Sequence, residues 1–163
     1  SYTANNLPLN SKNIEYLVLA LKEIAEMDNQ IDSVRQVLAY HSDFTILAAY
    51  RFIFANNKLG VDECKRTKFQ EILTAREIKL ERHELMFVFE QFDRDGDGNF
   101  GPKDFEYLIM PRDTESAEVL EGRIKSDYIR RPETQKTLGK LIEMAVGLEL
   151  AVESVKEKLK QRP

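Results

Sequence analysis

Apolar residues recur at helical spacing along most of this chain, and strand-type alternation hardly occurs. From about Ser11 to Tyr40, the positions Ala20, Ile24, Met27, Ile31, Val34 and Leu38 follow at intervals of 4, 3, 4, 3 and 4. Mostly polar residues fill the gaps, so this is a heptad seam on one long helix. A second long helix is expected from Pro132 onward. Its seam is Leu141, Ala145, Leu148, Val152, Val155 and Leu159, at the same intervals. Pro132 suits a first helical turn, where its missing N–H is harmless. A shift of 121 residues superposes the two seams, placing Ser33-Val34-Arg35 on Ser154-Val155-Lys156 and Leu38 on Leu159. Two amphipathic helices can always be registered in this way. The alternative is a tandem repeat, with the last helix opening the next unit of a longer array.

Between the long helices, Phe44, Leu47, Ala48, Phe52 and Phe54 mark a helix with an aromatic face. A break follows over 55–60, rich in the turn formers Asn and Gly. Helical spacing resumes with Phe69, Ile72 and Leu73, and again with Leu85, Val88, Phe89 and Phe92. After an acidic loop come Phe105, Leu108 and Ile109, closed by Pro111. The expected order is an N-terminal helix over 1–42, two helix–loop–helix units over 43–112, a polar connector over 113–131 and a C-terminal helix over 132–163. The fold class is all-α.

Composition narrows the function. The 163 residues are 42% hydrophobic and 32% charged, enough for a real core and unlike a disordered tail. A net charge of −4 from 24 basic and 28 acidic residues argues against nucleic acid or an anionic membrane as partner. No apolar run reaches the roughly 18 residues that a membrane helix needs. A single cysteine, Cys64, excludes an internal disulfide and a cysteine-built zinc site. It points to a reducing compartment, so a cytoplasmic location is expected. The two histidines, His41 and His83, stand in no nucleophile–base pattern, and no enzyme activity is expected. His41 reads as a surface or helix-end residue and Cys64 as a structural one.

The chemistry lies in Asp93-Arg94-Asp95-Gly96-Asp97-Gly98-Asn99-Phe100-Gly101-Pro102-Lys103-Asp104. Three carboxylates at alternate positions followed by glycine form the pattern of a calcium loop. A hard dication wants six to eight oxygens. Asp93, Asp95 and Asp97 would offer carboxylates and Asn99 its backbone carbonyl, while Gly98 permits the reversal. Gly101 has no side chain, so a water would take the ninth position. Phe100 would enter the core while its backbone pairs with the preceding loop.

With its aromatic helices on either side, residues 43–112 resemble a pair of EF-hands of the calmodulin type. The resemblance implies that Asp104 supplies the twelfth-position ligand. The family's usual glutamate is longer, so Asp104 should weaken Ca2+ or favour Mg2+. The first hand departs further. Pairing Val61 with Phe100 puts Phe54 first and Lys65 twelfth, which leaves no cage around Asn56, Asp62 and Glu63. That hand is expected to be metal-free. With Ser42-Asp43-Phe44, Ala49-Tyr50-Arg51-Phe52 and Met110-Pro111-Arg112-Asp113, the chain is also similar to EF-hand proteins of protist and ciliary cytoskeletons. That similarity implies protein partners, axonemal or otherwise cytoskeletal, bound through the heptad helices. The competing expectation is a calmodulin-like sensor gripping an amphipathic helix. Only Met86 and Met110 lie near the aromatic stripe, short of the adaptable surface a promiscuous sensor needs.

Overall fold

The computed structural model describes residues 10–55, 64–123 and 128–160. Their elements run α1 (Ser11–Ala39), α2 (Ile46–Phe54), β1 (Cys64–Lys65), α3 (Arg66–Ala75), α4 (Arg82–Phe92), β2 (Asn99–Phe100), α5 (Pro102–Ile109), α6 (Thr114–Glu121) and α7 (Pro132–Lys160). The architecture is helical, with one two-residue antiparallel bridge.

Local chemistry sets several boundaries. Asn10 caps α1 by accepting the Asn13 N–H at 2.9 Å, and Thr45 caps α2 by accepting that of Ala48 at 3.0 Å. Pro102 and Pro132 each stand in a first helical turn, and α5 stops just before Pro111. The stretch 113–131, polar and without a clear apolar period, nevertheless holds α6. Asp113 starts that helix by accepting the Ser116 N–H at 2.8 Å, and Leu120 anchors it in the core.

The two heptad helices pack on each other. They run antiparallel: Tyr16 meets Lys158, whose ammonium lies 5.4 Å from its ring, and Met27 lies against Gly147. In the seam of α1, Ala20, Ile31 and Leu38 are buried; in that of α7, Leu141 and Ala145 are. The α7 helix also packs on α2 and α4, and α6 on α1. One core therefore joins all these elements. At its centre Tyr50, Phe54, Phe69, Phe100 and Phe105 stack or meet edge to face, with ring centroids 4.8 to 6.3 Å apart. Phe87 stays at the rim of this core, where Lys156 sits 5.8 Å from its ring. Near the end of α7, Lys160 pairs with Glu157 at 3.8 Å.

The bridge corrects one expectation. Phe100 pairs with Cys64, and Asn99 with Lys65. The partner of Phe100 is thus Cys64 and not Val61, and the position matching Asp104 moves from Lys65 to Lys68. The cause is unequal connections: eleven residues separate α2 from α3, and nine separate α4 from α5. Pairing Val61 with Phe100 therefore places the bridge three residues too early. Lys68 still brings an ammonium where the second loop has a carboxylate, and it pairs with Glu71 at 3.8 Å. Asn56, Val61, Asp62 and Glu63 lie outside the described residues.

Candidate metal centre

The acidic loop leaves α4 at Asp93 and re-enters helix at Pro102. Gly96 (φ 70°) and Gly98 (φ 84°) take left-handed conformations that a side chain would strain, and these turn the loop back on itself. Each aspartate then fixes the backbone by accepting N–H groups. Asp93 Oδ2 accepts from Gly98 at 2.8 Å, Asp95 Oδ1 from Asp97 at 3.2 Å, and Asp97 Oδ1 from Asn99 at 2.8 Å. Asp104, on α5, reaches across the base. Its Oδ1 accepts from Arg94 at 2.9 Å and Asp95 at 3.4 Å, and its Oδ2 from Gly101 at 3.0 Å. It is 5% exposed and holds the two ends of the loop together.

These bonds aim the carboxylates inward. One oxygen from each of Asp93, Asp95, Asp97 and Asp104 lies within 4.8 Å of every other. Four negative charges so close repel, and each pair gains from an intervening cation. Asp93 Oδ1 is buried and has no hydrogen-bond partner among the described residues, so the arrangement leaves one desolvated acceptor without a donor there. Asn99 places its backbone in the bridge, and Phe100 beneath is fully buried, with its carbonyl accepting the Tyr50 hydroxyl at 2.9 Å. The four aspartates singled out in the sequence thus come together, and Asn99 stands on the same loop. The donor set is all oxygen, hard and anionic, and suits Ca2+ or Mg2+ over softer metals.

Behind the loop, the Arg94 guanidinium lies 5.0 Å from the Tyr107 ring. On α7, burial pushes the Glu149 carboxyl above its ordinary range, and the charges of Arg94 and Lys156 offset part of that. Cys64 is buried, and desolvation pushes its thiol up to about 11, which suits a packing role and not a reactive one.

A second polar cluster was not visible in the sequence. It sits where α1 ends and α7 begins. Asp43 Oδ2 accepts the N–H groups of Arg130 and Arg131 at 3.1 and 2.9 Å, and Oδ1 accepts the Thr134 hydroxyl at 2.8 Å. Because that hydroxyl proton goes to Asp43, His41 Nδ1, 2.8 Å from the same oxygen, carries the proton of its contact with Thr134. Partial burial raises the Asp43 carboxyl, but the bonds from Arg131, Thr134 and Arg130 outweigh it and leave the group below its ordinary value. The Arg123 guanidinium ties the same corner by donating to the carbonyls of His41 and Phe44 at 2.6 and 3.0 Å. His41 is therefore a helix-end residue wedged between elements. Its side chain is 11% exposed. Only the Ser42-Asp43-Phe44 turn hinted at this corner, since its partners lie about ninety residues away.

No helix among the described residues is long and apolar enough to cross a membrane. No protein-family model, curated protein or solved structure matches this chain.

Proposed function

We propose that this chain is a non-enzymatic, divalent-cation-binding helical protein of the EF-hand type, whose acidic loop stabilises or modestly regulates its attachment to a larger cytoskeletal or ciliary assembly. The observation that carries the cation part is the convergence of four carboxylates around Asp93 Oδ1, which is buried and lacks a donor. Asp93, Asp95, Asp97 and Asp104 would hold the ion with carboxylate oxygens, and Asn99 with its backbone carbonyl. The ion supplies the counter-charge that this loop otherwise lacks. Three N–H groups already draw on the Asp104 oxygens, which leaves less of that carboxylate for the ion and favours Mg2+ as a competitor of Ca2+.

Attachment through long helices is supported by the resemblance read from the sequence, and a fixed attachment is favoured over target capture by the position of α7. Its apolar face, with Leu138, Leu141, Ile142, Ala145 and Val146 buried, lies against α1, α2 and α4. A surface that would otherwise be offered to an external helix is filled from within the chain. The calmodulin-like alternative requires the ion to lift α7 away.

Calorimetric titration of the chain and of Asp93→Ala, with and without millimolar Mg2+, tests the cation reading. One weak Ca2+ site is expected, displaced by Mg2+ and lost in the variant, with no rise in hydrophobic-dye fluorescence. Tight Ca2+ binding that survives Mg2+ and raises the dye signal would support the sensor instead. Absence of heat with both ions overturns the cation reading. Cosedimentation with detergent-extracted cytoskeletons tests the attachment.

A further inference from the structure

On α1, a second apolar stripe runs beside the one that packs on α7. Ile14, Val18, Leu21 and Ala25 recur at intervals of 4, 3 and 4, which aligns them along one face about 18 Å long. Ile14, Val18 and Leu21 are 48%, 45% and 52% exposed. Farther along the same face the positions are Asp28 and Asp32, and both are paired, Asp32 being buried as well. Arg112 pairs with Asp28, and its backbone N–H donates to Asp32 Oδ1 at 3.1 Å. Among the described residues the face thus changes from polar and paired with Arg112 to apolar and exposed. Three large aliphatic side chains in a row on one helix face mark a contact surface.

The flanking charges indicate the occupant. Glu15 and Lys22, both exposed, stand on one edge of the stripe, a heptad apart. When a second α1 is laid antiparallel, with Val18 facing Leu21 and Ile14 facing Ala25, all four apolar positions find partners. In that register Glu15 of each copy falls beside Lys22 of the other, twice by symmetry. On the opposite edge Leu17 falls beside Ile24. A parallel pairing brings no such opposite charges together. We propose that this stripe is a self-association surface, which joins two copies of the chain through antiparallel α1 helices into a four-helix array with their α7 partners. The inference uses none of the acidic-loop residues and stands apart from the cation reading.

Sedimentation equilibrium of the full chain over a wide concentration range tests it. The mass should climb from 18.9 kDa toward twice that value. A short seam makes a weak, concentration-dependent dimer. Glu15→Lys and Lys22→Glu should each weaken association by roughly tenfold, because each turns two attractions into repulsions. Mixing these two variants should restore it, since their charges complement each other, as should the double variant alone. Leu21→Asp should be monomeric with unchanged helicity by circular dichroism. The proposal is overturned if the chain stays at 18.9 kDa throughout, or if it dimerises equally well in both single-charge variants. It is overturned too if dimers form only after residues 1–9 are deleted, which would make that segment the cover of the stripe.

Discussion

Two corners of the molecule are built on aspartate, and they use it in opposite ways. At Asp43 both carboxylate oxygens are satisfied by donors around the entry to α7: the N–H groups of Arg130 and Arg131, just before the helix, on one, and the Thr134 hydroxyl in its first turn on the other. In the acidic loop the donors are also backbone N–H groups, but four carboxylates share them, and Asp93 Oδ1 receives none. The first corner closes its own ledger and locks two helices. The second is left with excess negative charge directed at one point, which is the condition for holding a cation. What separates the lock from the proposed seat is whether every oxygen finds a donor among the described residues.

The sharpest way to separate the corners is to add a cation. With Ca2+ or Mg2+ at about a hundredfold over its dissociation constant, the chain should gain about 2.7 kcal/mol of stability, and Asp93→Ala should gain nothing. Urea unfolding with and without the ion measures this. An equal gain in the variant would remove the distinction. Next comes Asp43→Ala, which takes away the partner of three donors at the start of α7. It should cost about 2 kcal/mol, and saturating cation should not change that difference.

Acid gives a smaller and directional effect. The Asp43 carboxyl is held below its ordinary value in the folded chain, so its contribution is fully present above the unfolded value and fades as pH falls toward the folded one. The stability gap between the wild type and Asp43→Ala should therefore close on acidification below the usual carboxylate range, followed by circular dichroism melts across pH. The smallest effect is expected from Asp97→Asn. Its side-chain oxygen can still accept the Asn99 N–H, while one of four clustered charges is removed. Without cation this variant should be more stable than the wild type by under about 1 kcal/mol, and its cation affinity should fall. Differential scanning calorimetry with chelator present checks the sign.

The acidic loop was legible because its chemistry is local. Asp93, Asp95, Asp97, Asn99 and Asp104 lie within twelve residues, the alternate aspartates and the glycine being read from spacing and the role of Asp104 from the resemblance. The two long helices were legible for the same reason, since a heptad seam is a local signal. That they pack on each other was not, because an apolar seam specifies that it must be covered without specifying by what. The bridge partner of Phe100 was misplaced by three residues because connection length is not written in the pattern of apolar positions. Of the Asp43 corner only the turn itself showed. Nothing in an Asp-Phe turn shows that its donors come from Arg130, Arg131 and Thr134, and only the antiparallel return of α7 brings them there.

That return also sets how force would travel through the chain. Because Tyr16 lies against Lys158, the beginning of α1 and the end of α7 sit at the same end of the molecule. A polypeptide continuing from both would enter and leave side by side, and the unit would hang from it as a pendant. Tension on the two ends would then peel α1 from α7 one layer at a time, as a zip opens, and the acidic loop would feel the load only after those layers had parted.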